Sequence, residues 1–167
     1  MRCWRMVGFV SLRHMRPTDY LKVQNIKVPL VSTNKTDAIR ELVELLALEG
    51  QLTDSKKVLD AVLEREATRT TGIGYGLAIP HGKTLGTSGL VMAIGKPVTP
   101  IDFAAMDGKP VSIIWLLTSP PDKTGLHISM LARVSRMMMV DKFRAELNRS
   151  PTAQAVFDCI SQQENES

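Results

Sequence analysis

Two histidines and one arginine hold most of the chemistry this chain can offer, and each stands at the end of a secondary-structure element. The first histidine lies in the stretch TGIGYGLAIPHGKT, Thr71 to Thr84. His81 follows a proline at the end of a short apolar run and precedes Gly82, which sets its ring at a sheet rim where backbone can approach closely. His127 opens a helix just after the loop PPDKTG, where a helix N-terminus can face an anion. Arg65 sits near the end of an earlier helix, beside the glycine loop.

A neutral imidazole can attack through one ring nitrogen while the other donates to a carbonyl or carboxylate. Moving a phosphoryl group onto it requires in-line placement and donors for three oxygens, which loop amides, an arginine and a second imidazole can supply. Each residue also has an ordinary structural role: the glycines as turn formers, His127 as a helix-end contact, Arg65 as a surface charge. Spacing does not decide between the two readings. The third histidine, His14, lies in an N-terminal extension and has no such context.

Other chemistries fail on spacing. A phosphate loop ending at Gly82-Lys83-Thr84 requires a glycine five positions before Gly82, and Leu77 stands there. The dinucleotide fingerprint fails because Gly72, Gly74 and Gly76 lead into an apolar run where a helix should open. The chain contains no H-x-H, H-E-x-x-H or C-x-x-C for zinc and no G-x-S-x-G elbow for serine hydrolysis. Neither a cofactor nor a metal is expected.

The elements that must position these residues follow from periodicity. Leu21 to Val28 alternates loosely as a strand or edge segment. Thr33, Asn34 or Thr36 caps a helix whose Ile39, Leu42, Val43 and Leu46 share a face, and Gly50 stops it. Thr53, Asp54 or Ser55 caps a second, through Val58, Val62 and Leu63 to about Thr68, with Arg65 and Glu66 in its last turn. Three strands are predicted: Gly76 to His81, Leu90 to Ile94, and Val111 to Leu117, the last apolar enough to be buried on both faces. After the loop or lid SPPDKTG, a helix from about Thr124 turns Ile128, Leu131, Val134 and Met138 inward, with the Met137–Met139 run as core or interface filling. Ser150 and Pro151 start a last helix carrying Ala155, Val156 and Ile160. This order predicts an α/β fold: one domain, a mixed β-sheet flanked by helices on both faces.

With 167 residues and 44% hydrophobic content the chain fits one domain with a substantial core. Its net charge of +4 comes largely from Arg2, Arg5 and Arg13; without the first fourteen residues, 18 basic face 17 acidic side chains. That balance, and the absence of interleaved basic and aromatic residues, argues against nucleic acid. The apolar stretch of residues 1–14 is short, is broken by Arg13 and His14 and lacks a cleavage site, so a poorly ordered extension over 1–17 is expected rather than a signal peptide. No run reaches the roughly 18 apolar residues of a membrane helix. Cys3 and Cys159 form neither a disulfide framework nor a thiolate metal site, and a reducing cytoplasm is the default location.

The run REATRTTGIGYGLAIPHGKT, Arg65 to Thr84, closely resembles the phosphorylation-site signature of the type 2 enzyme IIA domains of the bacterial phosphotransferase system, the fructose, mannitol and nitrogen-regulatory class. IDFAAMDGKPVSIIWLL (Ile101 to Leu117) is similar to the family's Asp-Gly-x-Pro-Val segment and strand, and HISMLARVSRMMMVDKFRAEL (His127 to Leu147) to its second-histidine helix. The resemblance covers about Thr18 to Ile160 and implies a type 2 domain over 18–163, with 164–167 as a tail. It implies the mannitol-type enzyme IIA fold and matches His81 to the phosphoryl acceptor. The donor would be the histidine phosphocarrier protein, and a cysteine of a separate enzyme IIB would receive the group. Arg65 matches the arginine that steadies the phosphoryl charge, and His127 the histidine that contacts the group without carrying it. Tyr75 departs from the small polar residue common in the family, which implies a varied partner surface. Lys83 and Lys123 are candidates for a charged docking rim, or simple solvated lysines. The resemblance implies a transport phosphocarrier, with a nitrogen-regulatory-type module that binds a target in one phosphorylation state as the alternative; Arg65, His81 and His127 together argue against a domain that has lost the relay.

Overall fold

The computed structural model describes residues 15–166. Asn34 caps the first helix, α1 (Lys35–Leu48), by accepting from Asp37 N–H, and Asp54 caps α2 (Ser55–Thr68) by accepting from Lys57 N–H. Both were legible as cap-plus-periodicity patterns. The strands are β1 (Ile26–Leu30), β2 (Gly72–Gly74), β3 (Leu77–Ala78), β4 (His81–Lys83), β5 (Val91–Pro97) and β6 (Ile113–Ser119). Three further helices follow: α3 (Thr124–Met137), α4 (Asp141–Arg149) and α5 (Ala153–Asn165).

The sheet runs in the order β1-β5-β6-β3-β2, with β4 also paired to β6. β1 is parallel to β5, β5 antiparallel to β6, and β3 and β4 both parallel to β6, so the sheet is mixed. The fully buried strand β6 divides the core by the alternation of a pleated chain. Ile114 and Leu116 pack with Ile39, Leu42, Val58 and Val62 of α1 and α2 on one face. Ile113, Trp115 and Leu117 pack with Met130, Val134, Phe143 and Val156 of α3, α4 and α5 on the other. Helices thus cover both faces, as expected.

Several local readings are corrected. The single strand expected over Gly76 to His81 is two strands laid end to end along β6: Leu77 and Ala78 pair with Ile113 and Ile114, while His81 to Lys83 pair with Leu117 to Ser119. Pro80 has no N–H to donate, so the ladder breaks there, and only its carbonyl continues, accepting from Leu117 N–H. Ahead of β1, Val23–Asn25 form a 3₁₀ turn rather than strand. The helix read through His127 to Leu147 is interrupted at Met138–Val140, giving α3 and α4. On α3 the buried residues are His127, Met130, Val134 and Met137, while Ile128 is 61% exposed and Leu131 partly buried. The inward face is rotated from the predicted one because it buries the histidine. Met138 is buried and Met139 exposed. Thr152, not Ser150, caps α5 by accepting from Ala155 N–H, and Pro151 precedes the cap; Ser150 donates instead to Glu146 O at the end of α4.

The expected extension lies outside the described residues up to residue 14, whereas Met15 and Pro17 are buried. The expected tail starts inside α5: Glu164 is buried and accepts from Thr18 N–H at 2.7 Å and Thr18 Oγ1 at 2.5 Å, tying the two ends of the domain together. No helix among the described residues is long and apolar enough to cross a membrane.

Lys96, at the end of β5, was not singled out by sequence. Its Nζ donates to the carbonyls of Leu147, Asn148 and Ser150 at 2.8, 3.0 and 2.5 Å. Those carbonyls end α4, where a cation complements the helix dipole. Lys96→Met keeps the stem and removes the ammonium, and is expected to cost about 2 kcal/mol of stability in urea unfolding at pH 7; an unchanged midpoint would contradict that role.

Candidate functional site

The site is assembled where the end of α2 meets β4 and the start of α3. Arg65 lies in the last turn of α2 and donates through Nη1 to Arg69 O at 2.9 Å, which holds the guanidinium at the helix end. Its neighbour Glu66 is buried and accepts from Thr71 N–H at 3.1 Å and from the Thr71 hydroxyl, with Lys35 Nζ at 3.5 Å. This carboxylate clamps the start of the glycine loop onto α2. The loop then makes the β2–β3 hairpin, where Tyr75 and Gly76 adopt φ values of +59° and +72°. That turn suits glycine, and Tyr75 occupies it with Arg144 stacked 4.5 Å from its ring centroid.

Past Pro80 the chain re-enters the sheet at His81. Gly82 is the seat for α2: a Cβ there would lie 3.1 Å from the backbone carbon of Ala61 and 3.1 Å from Val62 N. Only a glycine lets the helix backbone rest on β4 at this distance, and the close seat carries Arg65 to the mouth beside His81. The resulting cleft, about 470 Å³, is lined by Arg65, Thr68, His81, Lys83 and His127, with Ala61, Ile128 and Leu131 as its apolar wall. All three residues singled out by sequence therefore meet in one cleft. Lys83 joins them; Lys123, exposed in the 3₁₀ turn Pro121–Lys123 that precedes α3, is not among the lining residues. A larger cleft of about 810 Å³ opens near the other end of β6 and contains Tyr75, Lys109 and Arg144 but neither histidine. Tyr75 thus stands away from the His81 cleft.

His81 Nδ1 lies 2.7 Å from Ile79 O. A carbonyl only accepts, so Nδ1 carries the proton and Nε2 of the neutral ring is a bare lone pair. Burial lowers the His81 pKa first, the hydrogen bond to Ile79 opposes this, Arg65 lowers it further and Glu66 raises it. The imidazole is therefore neutral and nucleophilic at pH 7. His127 is 3% exposed and its pKa is lowered to about 4 by burial, then by His81 and Lys83. The rings meet edge to face with centroids 5.6 Å apart and planes at 63°. His127 Nδ1 is 2.7 Å from Ser119 Oγ at the end of β6. Sequence reasoning passed over Ser119, since a hydroxyl between an apolar run and two prolines reads as loop. Glu66 was noticed for its charge, not as an anchor. Among the described residues no three His, Cys, Asp or Glu side chains cluster as metal ligands.

The depressed His127 pKa has a consequence for acid stability. The unfolded chain binds this proton at the ordinary value of 6.5, the folded one only near 4. Stability held by the neutral ring is complete above pH 6.5 and is lost as pH falls toward 4, on the order of 3 kcal/mol in total. Urea unfolding at pH 7 and pH 4 is expected to show a smaller acid decrement for His127→Asn than for the unsubstituted protein. Equal decrements would mean that His127 titrates alike in both states.

The sequence and the fold have counterparts elsewhere. The chain is 31% identical over 148 residues to the PTS system fructose-specific EIIABC component of Bacillus subtilis, covering 89% of this chain and 23% of that protein's length. It is 34% identical over 145 residues to the nitrogen regulatory protein of Bradyrhizobium diazoefficiens, covering 86% of this chain and 94% of that one. The fold matches the crystal structure of nitrogen regulatory protein IIA-Ntr from Neisseria meningitidis with a TM-score of 0.79 and 30% identity, over 85% of this chain and 97% of that one. Residues 19–163 match the family described as phosphoenolpyruvate-dependent sugar phosphotransferase system, EIIA 2, and the chain belongs to that family.

Proposed function

We propose that His81 is the phosphoryl acceptor of this enzyme IIA domain and that Nε2 is the atom that carries the group. The observation behind this reading is the Nδ1 contact to Ile79 O at 2.7 Å, which leaves Nε2 bare in a cleft that also holds Arg65 and His127. The donor is the phosphohistidine of the histidine phosphocarrier protein. Its P–N bond breaks with the electron pair returning to the donor ring, and the His81 Nε2 lone pair forms the new N–P bond. No proton has to move, because the one on Nδ1 stays on the Ile79 hydrogen bond and that bond strengthens as the ring gains positive character. Arg65 and His127 meet the charge on the three equatorial oxygens. Onward transfer reverses the logic: a cysteine thiolate of an enzyme IIB forms an S–P bond as the N–P bond breaks.

The apolar wall of Ile128 and Leu131 beside the cationic Lys83 suits a modest, short-lived protein interface. The relay operates in the cytoplasm, where both partners of such a system meet it. A second reading is favoured by the nitrogen regulatory relatives: phosphorylation adds close to two negative charges at the cleft, and a target protein reads that change without accepting the group.

Incubation with the phosphorylated donor is expected to add one acid-labile phosphate, which heteronuclear NMR should assign to Nε2 of His81. An acid-stable phosphate, or one on Nδ1, would overturn the proposal. Adding enzyme IIB then separates the two readings, since transport requires the label to appear on a IIB thiol and regulation requires a target that binds one form only.

A further inference from the structure

Ser119 is fully buried at the last position of β6, and its hydroxyl lies 2.7 Å from His127 Nδ1. Among the described residues that hydroxyl has no second partner. A hydroxyl can give or take a hydrogen bond, but the two options are unequal here. If Oγ accepted from a protonated Nδ1, its own proton would be left buried with nowhere to go, a costly arrangement in a dry site. If Oγ donates, that proton is satisfied, and the neutral ring must hold its single hydrogen on Nε2. His127 is held neutral in this setting by burial, by His81 and by Lys83.

Nε2 of His127 makes no hydrogen bond among the described residues, yet no buried side-chain nitrogen or oxygen there lacks one. The atom is therefore open, and the cleft that this ring lines together with His81 is where it opens. The two imidazoles consequently stand in opposite tautomers. A carbonyl, Ile79 O, fixes the proton of His81 on Nδ1 and bares its Nε2, while a hydroxyl fixes the proton of His127 on Nε2.

We infer that Ser119 is a positioning residue for phosphoryl transfer: its hydroxyl donates to His127 Nδ1, so that His127 presents an N–H rather than a lone pair to the phosphoryl oxygens beside His81. This rests on the proposed role of His81 for its catalytic meaning, but the tautomer itself does not. With the opposite tautomer, the second histidine would aim a lone pair at an oxyanion and repel it. Ser119 acts only through His127, and its strand position fits that task. Ser119 pairs in register with Lys83, two residues past His81, so one strand end spaces both rings.

The test begins with the unsubstituted protein, labelled with ¹⁵N and read by long-range proton–nitrogen correlation of the His127 ring at pH 7. The Nε2–H pattern is expected, and an Nδ1–H pattern overturns the inference with no variant needed. Ser119→Thr and Ser119→Val then supply a pair of nearly equal shape, one with and one without a hydroxyl. The threonine variant should keep the Nε2–H pattern and transfer phosphate within about twofold of the unsubstituted rate. The valine variant should move toward Nδ1–H and slow transfer about tenfold, less than the 10²–10³ of a donor lost outright. Equal rates for the two variants, or an unchanged tautomer in the valine protein, would refute the positioning role. If His81→Ala still accepts phosphate while the His127 spectrum shows Nε2–H, the acceptor assignment fails and the tautomer stands; the reverse pattern leaves His81 in place and removes Ser119.

Discussion

His81→Ala is expected to fold and to lose phosphoryl acceptance altogether. The ring is only partly buried and makes a single hydrogen bond, to Ile79 O, so its removal should cost no more than about 1 kcal/mol in urea unfolding. The rate of label uptake from the phosphorylated donor should nevertheless fall by more than about 10⁴-fold, as expected when the accepting nucleophile itself is removed. In the tautomer inferred from the Ser119 contact, His127 does not substitute for it, because its open nitrogen then carries the proton. Arg65→Met and His127→Ala should each retain uptake at a rate lowered about 10²-fold, as expected when one donor to a developing charge is lost from a preorganised set. The ordering is the informative part. If His81→Ala keeps the label and His127→Ala loses it, the two roles are exchanged; if all three lose it equally with intact folding, the cleft acts as a docking surface rather than through separable chemical parts.

The parts of this arrangement that sequence exposed were those carried by one segment alone. The caps at Asn34 and Asp54, the apolar periodicity of α1 and α2, and the continuous apolar run of β6 are local properties, and each survived into the fold. The three candidate residues stood out partly for a related reason, although spacing left their roles open and the family resemblance supplied them. Each lies near an element end beside glycine, proline or loop, a position visible in the sequence even though His127 itself proves to be buried. What stayed hidden depended on a second segment. The break between β3 and β4 follows from Pro80, but only beside β6 does a missing N–H interrupt a ladder. The face of α3 is turned to bury His127 because Ser119 waits on a different element, eight residues away in sequence. Hydrophobicity alone counted Ile128 as core, whereas it is the wall of a cleft. Glu66 and Lys96 were likewise charged residues without visible partners until the fold supplied Thr71 and the end of α4.

Substitution of Gly82 is expected to slow phosphoryl uptake although the residue has no side chain of its own. In sequence it is one more glycine after a histidine, with room for something to approach. In the fold the approaching object is the backbone of α2 at Ala61 and Val62, 3.1 Å from where a Cβ would sit. Alanine at this position requires the helix to yield by a few tenths of an ångström. Valine, with two more methyl groups over the same backbone, requires a displacement nearer 1 Å, and α2 carries Arg65 one turn further along. Gly82→Val should therefore lower stability by about 2 kcal/mol, as overpacking does. Independently of that, phosphoryl uptake should slow about 10²-fold in protein that remains folded at the assay temperature, because a misplacement near 1 Å is enough to spoil an oriented donor. Gly82→Ala should fall between the two proteins in both measurements. The decisive comparison combines Gly82→Val with Arg65→Met. If the glycine acts by placing the guanidinium, the double variant should be little slower than Arg65→Met alone. If the two losses multiply, the helix seat matters to the cleft in some way other than through Arg65.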